Sequence, residues 1–175
     1  MKSYLVLACF MFTHSVIAQV GFPDSAITLK EIKDRVLIAE LIDNYGRFAD
    51  HRDADKQSGL FTQNGTMEIF RGEPDTSKAE GILKGQAELK NAFSTLSQYN
   101  MTYHLDGQKT ILLMGDSATG TAYCLAHHIF FENGKRMLMI MGIHYYDKYI
   151  RQNGQWYFSD RKLIIDFEDK RLSNL

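Results

Sequence analysis

The stretch Ala118-Thr119-Gly120-Thr121-Ala122-Tyr123-Cys124-Leu125-Ala126-His127-His128-Ile129-Phe130-Phe131 alternates small with large side chains and then runs into Asn133-Gly134. An alternating β-prone run that feeds an Asn-Gly dipeptide marks a strand entering a hairpin, because both residues tolerate the positive φ of a two-residue turn. The same punctuation recurs at Asn153-Gly154, and Gly115-Asp116 precedes the stretch. Four strands are therefore expected near 103–114, 118–131, 136–149 and 155–167, rich in Tyr, Ile, Phe and Thr and running as an antiparallel meander.

Towards the N-terminus the periodicity becomes helical. Leu29, Ile32, Val36, Ala39, Ile42 and Tyr45 step by three and four with charges between them, which predicts an amphipathic helix over 29–50. Asp53-Ala54-Asp55 can cap a short helix running to Phe61, and Asn64-Gly65 reads as a tight turn into a strand over 66–70. A loop over 72–81 contains Glu73-Pro74-Asp75; Ile82 and Leu83 suggest a brief strand, and Ala87, Leu89, Ala92, Phe93 and Leu96 a further helix. Helices first and a curved sheet afterwards define an α+β fold.

Composition sets the outer bounds. A chain of 175 residues that is 45% hydrophobic and 23% charged, with 2 prolines, fits one globular domain and excludes a collagen-like, mucin-like or mainly disordered protein. A net charge of -1 offers no basic surplus for nucleic acid, so no nucleic-acid partner is expected. Residues 1–18 read as a signal peptide: Lys2 gives the positive start, 4–12 is mostly apolar, and Val16-Ile17-Ala18 is a small-residue cleavage pattern. Thr13, His14 and Ser15 interrupt the run too early for it to span a bilayer, and Val6-Leu7-Ala8-Cys9 is only a faint lipoprotein box. The expectation is cleavage after Ala18, a single domain over 19–175, and a secreted or periplasmic protein with no membrane contact. Of the 2 cysteines, Cys9 would leave with the leader and Cys124 would remain without a disulfide partner.

Alternation along 118–131 sorts Ala122, Cys124, Ala126 and His128 to one face and Tyr123, Leu125, His127 and Ile129 to the other. Small residues on a concave face either leave room for a ligand or let a helix pack closely; with room, His128 rather than His127 looks into the cavity. His104 sits between Tyr103 and Leu105 at the start of the preceding strand, where a carboxylate partner would make it a general base, and Asp50 at the end of the long helix is a candidate. Arg161, on a strand face with Ser159 and Leu163, either closes an ion pair or holds an anion. His127, His128 and His144 stand at no spacing that specifies a metal, and no nucleotide-binding glycine motif or serine elbow is present, so neither metal nor cofactor is expected.

The element order, with Tyr45-Gly46-Arg47-Phe48-Ala49-Asp50, Leu60-Phe61-Thr62, His104, Gly115-Asp116, Tyr145-Tyr146-Asp147 and Gly154-Gln155-Trp156, resembles the SnoaL-like branch of the nuclear-transport-factor-two-like superfamily over 30–168. That superfamily includes scytalone dehydratase, ketosteroid isomerase, bile-acid 7α-dehydratase and the hexachlorocyclohexane dehydrochlorinase. The resemblance implies a cone-shaped α+β barrel, with N-terminal helices packed on a curved, mostly antiparallel sheet around an apolar pocket. It also implies roles: Asp50 orients His104, which abstracts a proton; Tyr45 takes a position that is polar and catalytic in several members; His128 resembles a second pocket histidine; and Arg161 resembles an anion-stabilising arginine. Cys124, Ala126, Tyr145 and Phe48 are expected to line the substrate side. The function so implied is a cofactor-free, dehydratase-type lyase acting on a hydrophobic cyclic, polyketide- or steroid-like molecule. An isomerase or cyclase, or a non-catalytic carrier of an apolar ligand, is the alternative. An outer sheet face carrying Tyr123, Leu125 and Ile129 is expected to associate into a homodimer or homotrimer.

Overall fold

The long helix and the meander meet as expected in a computed structural model of the chain, which describes residues 27–174. The expected signal segment 1–18 lies outside the described residues. Among those described, no helix is long and apolar enough to cross a membrane.

Helix α1 (Leu29–His51) starts at Thr28, whose hydroxyl accepts from the Glu31 backbone N–H while the Glu31 carboxylate accepts from that of Thr28, a reciprocal cap. It ends at Arg52, which turns left-handed with φ 57° and donates to the carbonyls of Asp50 and Tyr99 at 2.9 and 2.8 Å. Helix α2 (Ala54–Gly59) is capped by Asp53 and stops short of Phe61, which already belongs to β1 (Phe61–Phe70). Strand β2 (Gly81–Lys84), helix α3 (Gly85–Ser94) and a 3-10 turn (Thr95–Gln98) precede the meander of β3 (Met101–Met114), β4 (Ser117–Glu132), β5 (Lys135–Gln152) and β6 (Gln155–Leu172).

The sheet order is β2-β1-β6-β5-β4-β3, antiparallel except for the parallel pairing of β1 with β6. The expected barrel is thus an open, mixed sheet with β2 and β3 at its edges. Both Asn-Gly turns have positive φ at each residue, 51° and 75° at Asn133-Gly134 and 51° and 80° at Asn153-Gly154, as a two-residue hairpin turn requires.

Three expectations are corrected, two of them by local irregularities in strand pairing. Asn64-Gly65 makes no turn: β1 runs through it with a shift in its pairing to β6, and a Cβ at Gly65 would stand 3.0 Å from that of Phe61. A second shift, between Lys148 and Tyr149 opposite β6, turns Phe158 and Arg161 to the same inner side, so Arg161 does not share its face with Ser159. Ile129, expected on the exposed outer face, is buried at 3%.

Arg161 closes an ion pair at the centre of the fold. Its Nε and Nη2 donate to the two Asp147 carboxylate oxygens at 2.8 Å each, and neither side chain has any solvent exposure. The guanidinium carbon lies 4.2, 4.1 and 4.0 Å from the ring centroids of Tyr45, Tyr145 and Phe158, and the Tyr149 hydroxyl donates to Asp147 at 2.8 Å. At the other end of α1, buried Asp34 accepts from Trp156 Nε1 at 3.1 Å and Arg151 Nη1 at 2.9 Å, docking the helix on the β5–β6 hairpin.

Removing one member of a buried pair leaves the other charge uncompensated, which costs about 3–5 kcal/mol, whereas apolar residues of similar volume on both sides are close to neutral. Asp147→Ala should therefore lose about that much in denaturant unfolding, and Asp147→Leu with Arg161→Met should recover most of it. A loss below about 1 kcal/mol for the single variant would show that the pair does not hold the core.

Candidate active site

The inner face of the β3–β4 ladder carries three rungs, Thr102 opposite His128, His104 opposite Ala126, and Asp106 opposite Cys124. Helix α1 crosses directly above. Gly46 permits this approach, since a Cβ there would stand 3.1 Å from His104 Cβ and 3.4 Å from Asp106 Oδ2. One helical turn later Asp50 reaches down to His104. Its Oδ1 accepts from the ring Nδ1 at 2.6 Å, and its Oδ2 accepts from the backbone N–H of the same residue at 3.0 Å. The two side chains are 20% and 9% exposed. Burial alone would raise the Asp50 carboxyl, but the hydrogen bonds from His104 outweigh it and hold it below its ordinary value. With Nδ1 committed as donor, Nε2 carries the lone pair.

Asp106 is the residue that reading the sequence missed, although two-residue alternation from His104 places it on the same face. Burial raises its carboxyl, Asp43 adds to the rise, and Lys109, Arg161 and His104 oppose it. Burial, with Asp106 beside it, pushes the Cys124 thiol up to about 12, so the thiol stays protonated. Ala126 is fully buried beneath His104 and contributes no polar atom.

The other expected residues lie deeper or to the side. The Tyr45 hydroxyl donates to Met67 Sδ at 3.5 Å, and the ring packs edge-on against Phe61, Phe93, Tyr145 and Phe158. Burial pushes the Tyr45 hydroxyl up to about 12 and raises that of Tyr145 well above its ordinary value. These rings belong to the hydrophobic core cluster. Arg161 is held there by Asp147, with Nη1 the one guanidinium nitrogen left without a partner. Phe48 is half-buried with its ring under the Lys56 ammonium, 5.8 Å from the centroid. A groove of about 750 Å³ between the Glu73–Pro74–Asp75 loop and Thr121, Tyr146 and Lys162 is bordered by neither His104 nor Asp50. Among the described residues, no three His, Cys, Asp or Glu side chains converge as a metal site.

His128 is 2% exposed, its ring 5.7 Å from that of His104 and 4.5 Å from that of Tyr99, with a buried Nδ1 that has no hydrogen-bond partner. Arg52 holds the Tyr99 carbonyl, so the end of α1 also fixes the ring stacked on His128. Burial, then the neighbouring His104, pulls His128 down to about 4. An unfolded histidine takes up a proton near 6.5, so between that value and about 4 the unfolded chain binds more protons and stability falls with falling pH. The loss should reach about 3 kcal/mol by pH 4, and His128→Gln should flatten it; parallel curves for the two proteins in urea would refute the assignment.

The fold recurs widely among solved structures. A proposed scytalone dehydratase from Novosphingobium aromaticivorans aligns with a TM-score of 0.66 at 16% identity, over 82% of this chain and 91% of that one. A type 2 hexachlorocyclohexane dehydrochlorinase aligns at 0.69 and 18%, over 84% and 94%. The β subunit of a proposed aromatic-ring-hydroxylating dioxygenase, also from Novosphingobium aromaticivorans, aligns at 0.64 and 18%, over 78% and 91%, so one fold accompanies different chemistries. A search of curated proteins gives no significant match. The sequence model of the SnoaL-like domain matches residues 30–162, and the chain therefore belongs to the SnoaL-like family, with the α+β cone of the nuclear-transport-factor-two-like superfamily.

Proposed function

We propose that the protein is a cofactor-free lyase of the dehydratase type, acting on a hydrophobic cyclic molecule that carries a carbonyl, as polyketides and steroids do. The observation that carries this reading is the double hydrogen bond from His104 to Asp50. It orients the imidazole, sets its tautomer, and stabilises the imidazolium that forms when Nε2 takes a proton from the carbon next to the carbonyl. The unpartnered donors Arg161 Nη1 and, in its N–H tautomer, His128 Nδ1 supply hydrogen bonds for the developing enolate oxygen, while Tyr45 and Tyr145 keep the guanidinium in place. Isomerisation or cyclisation would use the same first proton transfer. With the expected leader removed, the chemistry would take place outside the cytoplasm.

His104→Ala and Asp50→Asn should each lower turnover of cyclic β-hydroxy ketones about 10²- to 10⁴-fold, the second with little loss of fold. A chelator should leave the wild-type rate unchanged. Near-native rates in both variants would remove the mechanism; loss of activity in the chelator would replace it with a metal-dependent one. Tight binding of apolar ketones without turnover would favour a carrier.

A homo-oligomer, dimer or trimer, belongs to the same proposal. On the outer face Leu105, Leu125, Gly142 and Phe167 form one cross-strand row, and Tyr103, Leu105, Tyr123, Leu125 and Phe167 are each at least 40% exposed. Contiguous apolar surface of this kind marks an association site. Light scattering at micromolar concentration should give a multiple of the chain mass, and Leu125→Lys should reduce it to that of one chain. A monomeric wild type would count against the interface.

A further inference from the structure

Asp106 is a half-buried carboxyl with no ion-pair partner among the described residues. The cation closest along the chain, Lys109, stands on the same inner face, because the pairing of β3 to β4 shifts between Asp106 and Lys109 and sets Lys109 opposite Ala122. The Lys109 ammonium pairs instead with Asp43 on α1. The remaining groups around Asp106 are Gly46 of α1, His104 on its own strand, Cys124 of β4, Tyr145 of β5 and Arg161 of β6. Of the two cationic side chains among them and Lys109, Arg161 is committed to Asp147 and Lys109 to Asp43. Cys124 stands directly opposite Asp106 across the β3–β4 ladder.

The position matters as much as the isolation. His104 Cβ and Asp106 Oδ2 lie 3.1 and 3.4 Å from one point above Gly46, so the carboxyl and the imidazole are neighbours under the same helix turn. His104 is therefore flanked by two carboxyls with opposite fates. Asp50 is held ionised by the hydrogen bonds it accepts, while burial favours the neutral acid at Asp106. Paired titratable groups pushed in opposite directions are the usual arrangement of an acid working beside a base.

We propose that Asp106 is the general acid of the elimination, giving its proton to the leaving oxygen while His104 takes the carbon-bound proton; this rests on the lyase reading above. The C–H bond breaks and its electron pair forms the new C=C bond. The C–O bond then breaks with its pair on oxygen, which takes the Asp106 proton and departs as water. The imidazolium and the Asp106 carboxylate left behind exchange one proton through solvent and regain their starting forms. Because the acid must be neutral, dehydration falls as pH rises through the titration of Asp106, while removal of a group that leaves without a proton does not follow that limb.

The probes are 3-hydroxycyclohexanone, whose hydroxide needs a proton to leave, and 3-acetoxycyclohexanone, whose acetate does not, each followed by enone absorbance and by NMR detection of deuterium uptake next to the carbonyl. Asp106→Asn should lose about 10²-fold or more on the hydroxy probe, lose far less on the acetoxy probe, and continue to exchange deuterium. Equal losses on both probes would make Asp106 a packing residue and overturn the inference, as would full activity on the hydroxy probe. A wild-type protein with neither exchange nor elimination on either probe would overturn the lyase reading itself, an outcome distinct from a failure confined to the Asp106 variant.

Discussion

A guanidinium and a carboxylate wholly out of water, Arg161 and Asp147, are the constraint to which the rest of this fold conforms. Desolvating each ion costs several kcal/mol, and the loss is offset only if both charges are met with good geometry. Asp147 supplies both oxygens and the rings of Tyr45, Tyr145 and Phe158 cover the guanidinium faces, which recruits α1, β5 and β6 to one point. Burial would lower the guanidinium's proton affinity, but the carboxylate more than offsets this, so the pair stays charged. Once Tyr45 is seated on Arg161, helical periodicity turns Gly46 and Asp50 towards β3. Little more than one helical turn separates the core at Tyr45 from the chemistry at Asp50.

That placement explains why a single imidazole is bracketed by different environments. Asp50 comes from a helix end and satisfies a ring N–H and a backbone N–H together, so its charge is well solvated by the protein. Asp106 comes from a strand, faces a thiol and a glycine, and loses its nearest cation to Asp43. One pairing shift in β3 brings Lys109 onto the inner face beside Asp106, where Asp43 of α1 takes its ammonium. In this fold the irregularities of the strands distribute the charges.

Much of the architecture was legible because it rests on local physics. The stripe Ile42, Tyr45 and Ala49 and the dipeptides at Asn133 and Asn153 act through periodicity and positive φ, which any reader of the chain can apply. The inner placement of Ala122, Cys124, Ala126 and His128 also follows from alternation, since no shift interrupts β4 against β5. Two expectations failed where alternation is broken. Asn64-Gly65 carries a turn signature but lies inside a strand, and Arg161 changed its neighbours because an extra residue precedes it. Ile129 is buried despite its outward parity, and Asp106 escaped notice because its significance depends on a partner it does not have. The parallel partnership of β1 with β6 depends on contacts across the whole chain, which local patterns do not encode.

The docking of α1 through Asp34 has an optical consequence. The chain has 1 tryptophan, Trp156, and its indole N–H is fixed to Asp34 with the Arg151 guanidinium 5.3 Å from the ring. A charge held that close on one side and a carboxylate on the other shift the indole excited state and quench or brighten it with small changes in their distance. Intrinsic fluorescence of this protein is therefore a gauge of how the start of α1 sits on the β5–β6 hairpin. It reports on the far end of the helix from His104, so an emission change on ligand addition would signal movement along α1 and not mere contact with the site.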